Sequence, residues 1–198
     1  MKTRLVIVTV LAFFVTVNSF AQSNITFGVR AGVNFQNLTG KFSDGDKYSN
    51  KLIPGFNVGA NAEIPVATDF YLQPGLLFST KGAKWKATDV KTNLSYFEIP
   101  INFLYKPVLG EGKLLAGFGP YVAFGVGSTN IDFGSDPGQI KRFDAGANLL
   151  AGYEFSNKLS FQLNAGLGLV NLANRSQGDS KSSLKNTGFG ISAGYRFN

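Results

Sequence analysis

Seven ionisable residues, Arg30, Glu63, Glu98, Lys106, Asp144, Glu154 and Arg196, stand inside stretches that are otherwise apolar, glycine-rich or amide-rich. Charges embedded in such stretches either pair with one another or carry an ion or proton along a confined path, because an isolated charge away from water is costly. Three bases against four acids nearly cancel. That balance points to a hydrogen-bonded charge cluster that fills an enclosed interior, with a narrow ion or proton path as the sharper alternative. Other chemistry is thin. The chain has no Cys and no His, which removes disulfides, thiol nucleophiles and the usual base beside a serine or aspartate. No catalytic, cofactor-binding or metal-ligating set is expected. "DGDKYSN" at 44–50 has oxygen ligands at alternate positions but lacks the frame and closing Glu of a calcium loop. "GLGLVN" and "GFGIS" lie within strand-like segments, not before a helix, so they are not phosphate loops.

The elements that must hold these charges are strands. In "SYFEIPINFLYK", residues 95–106, Phe97, Ile99, Ile101, Phe103 and Tyr105 make one apolar face, opposite Tyr96, Glu98, Pro100, Asn102, Leu104 and Lys106. Period-two alternation is a strand signal. It recurs in "NITFGVRAGVNFQ", "GFNVGANAEI", "FYLQPGLLFS", "LLAGFGPYVAFGVG", "FDAGANLLAGYEF", "LSFQLNAGLGLV" and "TGFGISAGYRF". Connections alternate too: long polar segments near 37–53, 81–93, 128–142 and 171–186, and short ones at "PVATD", "PVLGEG" and "SNK". Long outer loops and tight inner turns are the pattern of an outer-membrane barrel. The expected fold is all-β, an eight-stranded antiparallel up-and-down transmembrane β-barrel.

A soluble ligand-binding barrel would show the same alternation with its apolar face inside. The polar face separates the two. It carries Gly28, Gly32, Gly59, Gly119, Gly152 and Gly190 with Asn34, Asn57, Asn61, Gln73, Asn102 and Asn164, and few charges. Glycine weakens a solvent-facing strand, but small residues are what fit inside a narrow barrel. Phe27, Phe70, Tyr105, Phe118, Tyr153, Phe155, Phe161, Tyr195 and Phe197 lie on the apolar face near the short turns, as an interfacial aromatic girdle would. Pro74, Pro100 and Pro120 fall inside strands, where bulges are expected.

The chain opens with a basic start (Lys2, Arg4), an apolar run from Leu5 to Val17 and Ser19-Phe20-Ala21 before a cut. This reads as a cleaved signal peptide over 1–21, too short to span a membrane, followed by one barrel domain over 22–198. Without the leader's two bases the net charge falls from +7 to +5. No basic helix or dense basic tract supports nucleic-acid binding, and export argues against it.

"YFEIPINFLYK", "GFGPYVAFG", "FDAGANLLAGYEF" and the terminal "GYRFN" resemble the PorT-like outer-membrane β-barrel family of Bacteroidetes-type, Gram-negative bacteria, across essentially the whole mature chain. One departure is Asn198, since barrel-assembly signals usually end on an aromatic residue. The resemblance implies an outer-membrane location and, through the founding member, a part in type IX protein secretion; it brings no catalytic residues.

Together these readings predict a non-enzymatic, monomeric barrel with a side-chain-filled lumen, inserted by the barrel-assembly machinery. It is expected to act structurally or through its extracellular loops, with secretion-system proteins as candidate partners. A narrow small-solute or ion channel is the alternative. The loops are net basic, and Lys81, Lys84, Trp85, Lys86, Lys91, Arg175, Lys181 and Lys185 are the candidate contacts for lipopolysaccharide or a partner.

Overall fold

The computed structural model describes residues 25–41, 47, 50–85, 91–127, 130–132, 137–139, 141–173 and 183–197. The expected leader over 1–21 and its expected cleavage site lie outside the described residues, as does most of the 44–50 segment. Eight long strands run up and down: β1 (Thr26–Lys41), β2 (Ile53–Ala67), β3 (Phe70–Trp85), β4 (Lys91–Tyr105), β5 (Gly112–Val126), β6 (Phe143–Glu154), β7 (Leu159–Gly168) and β8 (Ser183–Arg196). Each pairs antiparallel with its sequence neighbour, and β1 pairs with β8 from Gly28↔Arg196 to Lys41↔Ser183, which closes the sheet. Closure leaves no unpaired edge, the condition for β-structure in lipid.

The face assignment follows directly. Phe27 is 62% exposed and Leu163 60%, whereas the opposite face of the same strands is buried or half-buried. Side chains that a soluble protein would hide are on the outside, because the surrounding solvent is hydrocarbon. Aromatic contacts bound this apolar wall at both ends. Near the short turns Phe70 stacks on Tyr105, and Phe155 meets Tyr153 and Phe161. Toward the long connections a second girdle, absent from the sequence reading, joins Phe35 to Phe189, Phe78 to Phe56 and Phe97, and Phe124 to Phe143. On β1 the girdles are set by Phe27 and Phe35, about 26 Å of strand apart. Tilted by roughly 40°, that spans about 20 Å, close to the usual apolar band.

Above the upper girdle the strands continue past their predicted ends, so 37–41, 50–51, 81–85, 91–93 and 183–186, within what the sequence presents as loops, are sheet. Here the two faces exchange character. Outward positions become polar (Thr39, Lys41, Lys84, Asn93), and inward ones become apolar (Leu38, Ala83, Leu94, Leu184). The change marks where the wall leaves lipid for water.

Pro74, Pro100 and Pro120 produce no bulges. The register stays constant through Pro74, Pro100 and Pro120, and the recorded shift among the named strands lies between Pro65 and Ala67. Ladder pairs are instead skipped beside Pro100, on both its β3 and its β5 side. A missing N–H removes a hydrogen bond without requiring an extra residue.

Candidate functional site

The inward side chains stack into layers. At the short-turn end Glu63 is the hub: its carboxylate accepts from Lys106 Nζ at 2.7 Å, from Arg196 Nη2, and from Gln73 Nε2 at 3.1 Å. Lys106 also donates to Glu154 at 2.9 Å and lies 5.3 Å from the Tyr71 ring centroid. Arg196 Nη1 donates to Asn61 at 2.8 Å. Two cations meet two carboxylates, and all four are nearly inaccessible. Leu104, Leu115 and Leu150, with Tyr71 against them, lie just above.

A second cluster sits in the outer half. Lys81 Nζ lies 3.3 Å from Glu98 and 3.4 Å from Asp144, and 4.5 Å from the Tyr121 ring centroid. Ser79 donates to Glu98; Tyr121 and Asn186 donate to Asp144 at 3.2 and 2.9 Å. Gly146 makes room for this arrangement, since a Cβ there would stand 2.7 Å from the Tyr121 ring and 2.8 Å from its hydroxyl.

Above the second cluster, Leu38, Ala83, Leu94, Tyr96, Ala123, Leu172 and Leu184 pack with Tyr121 into an apolar lid. Leu172 belongs to no long strand. Its segment turns in over the mouth, held by hydrogen bonds from Leu172 N to Leu184 O and from Lys141 N to Leu172 O, and its side chain is 0% exposed.

Between the two clusters a cavity of about 80 Å³ is lined by Arg30, Asn34, Asn57, Asn148 and Asn164, among others. That is room for about five waters. Arg30 joins neither cluster; it reaches Asn164 at 3.4 Å.

These positions correct three expectations. The charges form two clusters, not one. Lys81, a candidate loop contact by sequence, is an inward residue of β3, 6% exposed, and brings the luminal balance to four cations against four carboxylates. The lumen is also far less uniformly small and polar than the glycines suggest, because leucines and tyrosines layer it. Of the other candidate contacts, Lys84, Lys91 and Lys185 lie on strands and face outward, and Trp85 ends β3. Lys86, Arg175 and Lys181 lie outside the described residues.

The segments quoted for the family resemblance supply part of each cluster, while Glu63 and Lys81 come from β2 and β3 outside them. "FEIP" gives Glu98, "GPY" Tyr121 and "FDAG" Asp144 above; "FLYK" gives Lys106, "GYEF" Glu154 and "GYRF" Arg196 below. Those residues hold the interior together.

A closed antiparallel barrel with a lipid-compatible outer wall and a packed polar lumen defines an integral outer-membrane β-barrel protein. The outer membrane protein beta-barrel domain model matches residues 20–174, and the chain belongs to that family. The solved structure of Ail from Yersinia pestis, in complex with the heparin analogue sucrose octasulfate, is similar at 15% identity over 88% of this chain and 99% of that one, with a TM-score of 0.47. The outer membrane enzyme PagL is similar at 10% identity, 82% and 98% coverage and TM-score 0.47. Neisserial surface protein A is similar at 15%, 87% and 97%, again with 0.47. No curated protein sequence matches the chain.

Proposed function

We propose that the protein is a non-enzymatic, non-conducting barrel whose working surface is its extracellular end. One observation carries this reading: the lumen is closed by two ion-paired clusters and again by the Leu172 lid. An ion crossing it would have to break charge pairs in a confined space and then pass an apolar layer, both costly steps. What remains accessible is the lipid-facing wall and the outer rim. The barrel works as a monomer, exported behind its cleaved leader and inserted by the barrel-assembly machinery. Reconstituted in planar bilayers, it gives no conductance steps above the lipid baseline; a stable conducting state in the unmodified protein would overturn the reading in favour of a narrow channel.

A second reading, an accessory role in protein secretion, draws support from the PorT-like segments, because those segments contribute part of each luminal cluster. Cross-linking in intact cells tests it: secretion-machinery subunits recovered with the barrel would support it, and their absence would leave a stand-alone envelope protein.

A further inference from the structure

The outer rim carries a row of lysines above the lipid-facing wall. Lys51 pairs in register with Lys84, and Lys84 with Lys91, so three lysines stand side by side across the short strand Asn50–Lys51 and the outer ends of β3 and β4. A further pair, Lys41 opposite Lys47, lies on the adjoining β1 side. All belong to the outward face, since Lys84 alternates with the inward Lys81 and Ala83, and Lys91 with the inward Thr92. Lys41, Lys47, Lys51 and Lys91 are exposed. Like charges directly opposite one another disfavour the pairing of their strands. Here that juxtaposition recurs at three cross-strand pairs within one sector of the wall.

We infer that this row binds phosphate groups on the saccharide head of outer-leaflet lipopolysaccharide. The inference rests on the extracellular-end reading above and names its ligand. Charge is the first argument: paired strands bring adjacent lysines to within about 5 Å at the backbone, close enough for two ammonium groups to share one phosphate. Height is the second. Lys84 lies six residues beyond the girdle residue Phe78, about 20 Å along the strand and roughly 15 Å above the hydrocarbon edge at the same tilt of about 40°. The head-group layer of an ordinary bilayer adds only about 5–7 Å on each side. The row therefore stands above a phospholipid phosphate and at the level of a phosphorylated sugar head. The long connections lie at this end, which places the row on the outer leaflet.

The test uses the full-length barrel, extracted in mild detergent and titrated with lipopolysaccharide or with phosphatidylglycerol, bound lipid being counted by native mass spectrometry. Near a charged surface each lysine contributes roughly a fivefold gain in affinity at low ionic strength. Lys51→Gln/Lys84→Gln/Lys91→Gln together should then weaken lipopolysaccharide binding by about a hundredfold, while Lys158→Gln at the opposite end leaves it unchanged. The wild-type affinity should fall steeply with salt, and phosphatidylglycerol should bind weakly and alike in all forms. Heat-modifiable migration on a gel reports that each variant is folded. Equal lipopolysaccharide binding by the folded triple variant would overturn the inference, as would a preference for phosphatidylglycerol. Either result leaves the absence of conductance untouched, so failure here is distinct from failure of the function proposed above.

Discussion

Glu63→Gln is the sharpest perturbation of the lumen. Glu63 accepts from Lys106, Arg196 and Gln73 and is 3% exposed, as is the Lys106 side chain beside it. At 2.7 Å and an effective dielectric constant of about 20, the Lys106–Glu63 attraction alone is about 6 kcal/mol before desolvation is subtracted. Glutamine preserves the shape and removes the charge, so Lys106 and Arg196 are left with Glu154 as the cluster's one carboxylate. Breaking a buried pair in this way costs about 3–5 kcal/mol. With a urea dependence of about 2 kcal/mol/M, the unfolding midpoint in lipid vesicles should fall by roughly 1.5–2.5 M. Heat-modifiable migration gives the folded fraction at each urea concentration. A Glu63→Gln/Lys106→Met double variant removes the surplus cation and should be more stable than the single one, the signature of coupled residues. A single-variant shift below about 0.3 M, or a double variant as damaged as the two singles summed, would refute the picture of a tight, weakly hydrated charge cluster.

Lys81→Met should cost about 3–5 kcal/mol in the same titration, because Glu98 and Asp144 would then face each other without their shared cation, whereas Lys91→Met on the exposed rim should stay within about 0.5 kcal/mol; equal effects would return Lys81 to the surface. Leu163→Arg, between the girdles on the lipid-facing wall, should cost about 2–4 kcal/mol in vesicles, and a loss below about 1 kcal/mol would take that face out of the hydrocarbon.

The eight strands, the outward apolar face and the seven embedded charges were legible because a lipid-facing strand keeps strict period-two alternation. Legibility stopped where the wall leaves the membrane. Around Leu38, Ala83 and Leu94 the apolar residues move to the inside and polar ones take the outside. The alternation thus changes sense within one continuous strand, and a reading tuned to the membrane pattern takes the reversed part for a loop. Lys81 was lost for that reason, although its spacing from Gln73, Leu77 and Ser79, all odd-numbered and inward, was the signal that could have placed it. The upper girdle was missed differently. Alternation puts Phe35, Phe78 and Phe97 on the outward face, but only their cross-strand contacts show that they form a ring. The split into two clusters depends on strand register, which alternation alone does not set.

The bond between Arg196 and Glu63 joins residues 133 positions apart, the last strand to the second. Strands β2 to β7 pair only with their sequence neighbours, yet Glu63 keeps only part of its partners until β8 docks on β1. A sheet that stalls before closure would therefore present a carboxylate and a lysine to its surroundings with their arginine missing, as well as two raw edges. Docking of the C-terminal strand thus completes the charge cluster and removes both edges at once.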